Sequence, residues 1–424
     1  MDTRIDTARK GLLRNALVRQ RLRQIALFAG ILISGGLLSI PRLPLLAIVV
    51  LICFALRNLL QILKVEWVGI WMLLAATVAV ALIGGESFQL VALATRLANF
   101  LAGAALLLLY VDRKPGTLSA DLYPLLKLMA YQAVLTPIVY LAIPQFFVSF
   151  RVQDAIYETF LYVFTFHEFV ANATFFKRPD GFFFEPGVFQ IYLNIFLFIC
   201  LFLRRFSAFD IGLATLAVIA TQSTTGAVIL ILQYGVVYLR WLKESRGAQQ
   251  FGLFLIGPVL LLPLAAYTTY NVGEKFYGEA SGSAEAREFD LRTGLSVVME
   301  KPLTGIGFDY DRYFDVANRV GYREAELSVD NITDRANSNG IVTLLYSVGI
   351  PISLIFFWGA YRQRLFRPRW LFAALIFLSL SAEALFLSPF FLMLVFSGLL
   401  LNPRRSASFG ERRGAPRSRK MQAA

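Results

Sequence analysis

The chain is 424 residues long, 57% hydrophobic and 14% aromatic, and only 16% of its residues are charged. Soluble domains carry about 25% charged residues, and a soluble fold of this size has too little interior to hide so much apolar surface. A water-soluble protein is therefore excluded, and the formal net charge of +13 belongs to a chain whose solvent is lipid.

The apolar residues come in runs of about 16 to 24, long enough to cross a hydrocarbon core of about 30 Å at 1.5 Å per residue. In chain order they predict spans near 24–40, 44–63, 66–85, 88–111, 122–147, 187–204, 208–222, 226–240, 251–270, 340–360, 370–386 and 388–401. The expected fold is an all-α polytopic membrane protein of about 12 transmembrane helices with two larger loops on one side. A basic tail (1–23) leads into spans 1–5 (24–147), a loop (148–186), spans 6–9 (187–270), a second loop (271–338), spans 10–12 (339–401) and a basic tail (402–424).

Lys and Arg near a span are held on the cytoplasmic side. With the N-terminus inside, the inward segments hold Arg4 through Arg23, Arg57 with Lys64, Arg113 with Lys114, Arg204 with Arg205, Arg240 through Arg246, Arg362 through Arg369 and the tail from Arg404. The opposite segments are short or acidic, and 271–338 holds thirteen acids against eight bases. Both termini are therefore expected in the cytoplasm and the working surface on the other side. The net positive charge then reflects topology and attraction to anionic headgroups. Spread over separate loops, it does not form the basic face of a nucleic-acid binder.

The first residues lack an apolar core and a small-residue cleavage site, so the first span itself is expected to direct insertion. Cys53 and Cys200 both fall inside spans, which suggests neither a disulfide framework nor a metal site.

The first loop is aromatic-rich with scattered charges and reads as a chain lying at the membrane interface, with the sole histidine, His167, as one of its aromatics. In the second loop Leu291, Leu295, Val297 and Val298 recur at helical spacing before Pro302, Gly305 and Gly307 stop the helix, so short amphipathic helices are expected to cap the membrane domain.

Three clusters on the working side could carry chemistry. Around Arg178 the chain reads KRPDGFFFEPGVFQ, a turn signal and an aromatic run, where Glu185 before Pro186 either caps a helix or serves a site. Gln222 to Gly226 is a tight turn of small hydroxyl residues, and with no base nearby in sequence Ser223 reads as a polar turn rather than a nucleophile. Arg287 and Arg292, five residues apart, project about 140° apart on a helix, so only one can face a common site. Within spans, Arg96 and Glu383 are ionisable groups near outer ends that either line one cavity or pair with each other. Arg57, Lys127 and Asp210 lie near inner ends and can snorkel.

In this order and spacing the clusters resemble the O-antigen ligase and Wzy-type polysaccharide polymerase superfamily. The family pattern of Arg, two residues, Gly, one, Phe, one, Glu-Pro is met by Arg178, Gly181, Phe183, Glu185 and Pro186. The Ser-x-x-Gly turn is met by Ser223 and Gly226, and the Arg ahead of a Pro-Leu-x-Gly-x-Gly end by Arg287, Pro302, Leu303, Gly305 and Gly307. The resemblance runs from about Arg178 to Gly349. One departure is visible. Ligases of the superfamily carry a His followed by Asn after the large loop, with a Gly eleven residues on; here Ser338 and Asn339 stand there, with Gly349 in register.

The resemblance implies a membrane glycosyltransferase of the polymerase branch, in a bacterial inner membrane, joining undecaprenyl-diphosphate-linked repeats into exopolysaccharide or O-antigen at the periplasmic face. A flippase or a glycan ligase is the alternative. It implies a lipid-linked donor and acceptor, membrane lipid, a chain-length regulator and export machinery as partners, and neither cofactor nor metal. Arg178 and Arg287 would stabilise the diphosphate, Glu185 would act as base, and Gly181, Ser223, Arg292, Asn339 and Arg96 would bind substrate.

Overall fold

The computed structural model describes residues 2–37, 40–84, 90–152, 155–168, 177–247, 282–321 and 337–401, with a few isolated positions between 250 and 273. Helices α1 (Asp2–Ile33), α2 (Arg42–Leu56), α3 (Val68–Gly84), α4 (Leu90–Tyr110) and α5 (Thr117–Ala142) lead to strands β1 (Val148–Val152), β2 (Ala155–Phe160) and β3 (Phe164–Glu168). Then come α6 (Pro186–Phe198), α7 (Ala208–Ala220), α8 (Thr224–Glu244), α9 (Gly282–Glu300), α10 (Tyr310–Val320), α11 (Gly340–Tyr361), α12 (Arg369–Leu380) and α13 (Pro389–Leu399).

Among the described residues, six helical stretches are long and apolar enough to cross a membrane: Val65–Gly84, Leu90–Tyr110, Thr117–Ala142, Pro186–Leu203, Thr224–Glu244 and Gly340–Tyr361. Four shorter apolar helices, α2, α7, α12 and α13, accompany them. The protein is thus a mostly helical, multi-pass membrane protein. The span expected at 251–270 lies almost wholly outside the described residues, as do parts of the second loop and the last tail.

The first loop departs from an all-α fold. Residues 148–168 form a three-stranded antiparallel sheet in the order β1-β2-β3, with Tyr157 opposite His167 and Thr159 opposite Thr165. Aromatic and β-branched residues suit a pleated, half-buried surface. The β2–β3 turn explains why the hairpin is hard to read: Leu161 and Tyr162 both have positive φ (57° and 55°), and the Val163 N–H donates to the Phe160 carbonyl at 3.2 Å. That is a type I′ turn made without the Asn-Gly that usually announces one.

Helices apolar on all sides belong in the interior, and two of them form the centre. In α6 every residue but Gly187 is buried, and α13 is buried from Pro389 to Gly398. Helix α6 packs against α5, α7, α8 and α12, while α13 packs against α1, α4 and α11. The buried amides of α6 pair within the bundle: Asn194 Nδ2 donates to Gln190 Oε1 (2.9 Å), and Gln233 Nε2 donates to Asn194 Oδ1 (3.0 Å). Tyr192 joins two more helices, donating its hydroxyl to the Ser34 carbonyl at 3.0 Å while Ser34 Oγ accepts from the Phe390 N–H at 2.9 Å.

The Pro-Leu-x-Gly-x-Gly stretch is a backbone joint. Helix α11 breaks at Gly349 (φ 75°, ψ 164°) ahead of Pro351, which frees groups the helix would otherwise use. The Ile306 N–H donates to the Tyr346 carbonyl at 2.7 Å, and the Ile350 N–H donates to the Pro302 carbonyl at 2.8 Å. A Cβ at Gly349 would collide with the Leu303 carbonyl, and one at Gly305 with the Tyr346 carbonyl. Helix α9 is held to the same helix by Asp290, which is 1% exposed. Its Oδ2 accepts from the Ser338 hydroxyl (2.6 Å) and the Ser338 N–H (3.0 Å).

Because both partners at Gly349 are backbone, Gly349→Ala is expected to cost at least the 1–3 kcal/mol of left-handed strain. Gly235→Ala on α8, where an added Cβ meets nothing within 4 Å, should be neutral or mildly stabilising. Melting of the two purified variants side by side checks this; equal midpoints would refute the joint.

Candidate functional site

Residues 177–185 join the sheet to α6 and have neither helix nor strand of their own, so their polar backbone needs partners elsewhere. Pro179 bridges Phe166 on β3, and Phe183 bridges Gly36 at the end of α1. The Leu37 N–H donates to the Phe182 carbonyl (2.9 Å), the Phe184 N–H to the Gly35 carbonyl (3.3 Å) and the Asp180 N–H to the Thr165 carbonyl (2.9 Å). Gly181 turns the chain with φ 61°, where a Cβ would press on the Phe189 ring and Gln132 Oε1. Phe183 is fully buried and stacks on Tyr192 at 4.8 Å, so it is core, neither lipid anchor nor sugar platform.

Glu185 is the N-cap of α6, with Pro186 at the first helical position, yet its side chain caps nothing. Its carboxyl instead hydrogen-bonds Glu383, which lies in the turn between α12 and α13, outside both helices, and is 3% exposed. Gly187 makes the approach possible, because a Cβ there would collide with Glu383 Oε1. Burial first, then the charge of Glu185 and the hydrogen bond between them, hold Glu383 well above the usual carboxylate range, opposed by Arg287 and Arg178. Two neighbouring carboxyls cannot both ionise at low cost, which favours the protonated form of buried Glu383. Arg178, Glu185 and Arg287 thus all lie within electrostatic reach of Glu383.

Arg178 is half-buried, and its Nε donates to the Thr221 carbonyl at 3.1 Å, which ties the loop to the α7–α8 turn. In that turn Gln222 has positive φ and Ser223 caps α8, its Oγ accepting from the Gly226 N–H at 3.3 Å. Ser223 thus shapes the turn. Behind Arg178, His167 Nδ1 lies 2.8 Å from Oδ2 of Asp180, a fully buried carboxyl. Burial pushes Asp180 up to about 6 against the pull of His167 and Arg178. Burial alone would lower His167, but Asp180 outweighs it and raises the imidazole above its ordinary value. His167 is a paired support of the Arg178 loop, not a free interfacial aromatic.

Three other candidates sit elsewhere. Arg292 is exposed and pairs with Glu288 one turn back on α9, so of the two α9 arginines only Arg287 reaches the carboxyl pair. Asn339 caps α11, its Oδ1 accepting from the N–H groups of Ile341 and Val342 at 3.1 Å each. Arg96 does not pair with Glu383; its Nη2 donates to the Tyr310 hydroxyl at 2.6 Å, and its guanidinium lies 5.6 Å from the Phe308 ring centroid. Gly187, Asp290 and the His167–Asp180 pair carry no signal in the sequence, whereas Glu383 stands out there as a carboxylate in an apolar run, though with Arg96 rather than Glu185 as its expected neighbour.

The O-antigen ligase family model (Wzy_C) matches residues 211–357. This match over part of the chain supports membership in the O-antigen ligase/Wzy superfamily. No curated protein and no solved structure matches it. Members of this superfamily are membrane enzymes acting on lipid-linked glycans. The matched stretch holds the Ser223 turn, Arg287, the glycine joint and Ser338, whereas Arg178, Glu185 and Glu383 reach the same place from outside it.

His167 and Asp180 both have folded-state values above their unfolded ones, so folding takes up protons here. This stabilisation is present in acid and is lost as pH rises through the raised His167 value. The melting temperature is therefore expected to fall as pH rises, first as Asp180 titrates up to about pH 6 and then above about pH 6.5 until the raised His167 value is passed, and His167→Gln should flatten the upper part of that dependence. An unchanged slope in the variant would show that the pair does not hold the loop.

Proposed function

We propose that the protein is a polysaccharide polymerase that joins undecaprenyl-diphosphate-linked oligosaccharide repeats at the periplasmic face of a bacterial inner membrane. The observation that supports this reading is that Arg178 and Arg287, from two separate segments, lie within electrostatic reach of buried Glu383 and its neighbour Glu185. A hydroxyl of the acceptor glycan attacks the anomeric carbon of the donor. The bond from that carbon to the diphosphate oxygen breaks, and its electron pair leaves on the diphosphate. The guanidiniums of Arg178, tethered to the Thr221 carbonyl, and of Arg287 stabilise the charge that develops there beside low-dielectric lipid. The hydroxyl proton passes to Glu185, and Glu383 carries a proton that keeps Glu185 hydrogen-bonded and oriented.

The polymerase branch is favoured over ligation by Ser338. It stands where ligases of the superfamily carry His, and its hydroxyl is bound to buried Asp290, an arrangement that orders α9 and offers no base. With both termini inside, the N-in orientation puts the site on the periplasmic side, where lipid-linked repeats are polymerised.

Arg178→Ala and Arg287→Ala should each cost about 3–4 kcal/mol of transition-state stabilisation, a few hundredfold in rate. In a deletion strain, with variant protein levels confirmed, polymer should be lost while single repeats accumulate on the outer leaflet. Repeats held on the inner leaflet would make the protein a flippase, and normal polymer would dismiss the site. Glu185→Gln should lose about a hundredfold or more. Glu383→Gln, which still donates a hydrogen bond, should be tolerated far better than Glu383→Ala in the same polymer assay.

A further inference from the structure

A second pair of arginines lies at the same end of the bundle. Helices α2 and α4 run parallel, and two contacts fix their register: Cys53 Sγ donates to the Ala105 carbonyl at 3.4 Å, and Arg57 Nη1 lies 3.7 Å from Asp112 Oδ2. Eleven residues back from Cys53 and Ala105 lie Arg42 and Ala94, so Arg42 is level with the turn that carries Arg96. The two guanidiniums are within electrostatic reach of each other. Arg42 is exposed and occupies the first turn of α2, where the helix dipole already disfavours a cation. Neither α2 nor α4 has an acid in its first turn, and among the described residues no carboxylate pairs with either arginine. Two like charges and two helix N-termini thus converge on a point where no described residue supplies an anion. Leu43, Leu90 and Val91 stay exposed beside it, which suits an amphiphile whose head is anionic and whose tail is apolar.

Helix α9 measures the distance between the two arginine pairs. Arg287 near its start faces the Glu185–Glu383 pair. Lys301, just beyond its end, donates to the carbonyl of Gly84, which ends α3, and Tyr310 after it holds Arg96 at 2.6 Å. At 1.5 Å per residue the two ends are about 20 Å apart.

We propose that Arg42 and Arg96 bind the diphosphate of a second lipid-linked glycan, the acceptor. This rests on the polymerase reading. The attacking hydroxyl belongs to the sugar farthest from the acceptor's own lipid, so that lipid's diphosphate must sit one oligosaccharide length from Glu185. A separation of about 20 Å along α9 provides that offset.

The test uses the full chain in detergent and a short-chain polyprenyl diphosphate as probe, with bound copies counted by native mass spectrometry and affinity followed by titration. Wild type should bind two copies. Arg42→Gln, which removes an exposed side chain with no hydrogen bond, should weaken one of them at least tenfold, and Arg42→Gln with Arg96→Gln should leave one. Arg178→Gln should remove the other copy. Two copies held equally well by Arg42→Gln would overturn the proposal, as would equal displacement of the second copy by phosphatidylglycerol, which would make the pair a general phospholipid site. A single wild-type copy, lost only in Arg178→Gln, would overturn the second site and leave the polymerase reading standing. No copy at all would overturn both.

Discussion

Irregular backbone beside hydrocarbon is tolerated only where protein supplies its hydrogen bonds, because each unpaired group costs several kcal/mol there. Two polar segments of this chain meet that condition in different ways. Residues 177–185 borrow partners from Gly35 and Leu37 after α1 and from Thr165 on β3. Residues 302–307 borrow theirs from the break in α11, where Gly349 opens one amide and one carbonyl to them. Both segments come to rest against helices that are already packed, and in the first of them this docking places Arg178 beside the α7–α8 turn.

The charges follow from the same constraint. A carboxyl as buried as Glu383 is costly to ionise, and burial and the neighbouring Glu185 favour its protonated form against the field of two arginines. Asp290 uses burial differently: its carboxylate accepts two hydrogen bonds from Ser338 and locks α9 to α11. The position that holds a histidine in ligases of the superfamily has become a structural clasp here.

Much of the helical layout was legible in the sequence, because a membrane helix must be apolar along its length and that property is local. Helices α3, α4, α6, α8, α11 and α13 begin and end within a few residues of apolar runs. The sheet was not legible, because its turn uses Leu161 and Tyr162 in left-handed conformations and its strands mimic an interfacial aromatic chain. The site was legible in part: Arg178, Glu185 and Arg287 carry recognisable spacing, whereas Glu383 has none and reaches the site only through the turn between α12 and α13.

The sequence by itself determined that this is a multi-pass membrane protein and roughly where six of its helices lie, since glycine, proline and apolar length act on the chain locally. Only the tertiary structure decided which charged side chains share a site. Glu383 could have met Arg96 or Glu185, and Arg292 could have replaced Arg287; helix packing selected among them, because charges far apart in sequence are brought together by contacts that no local pattern encodes.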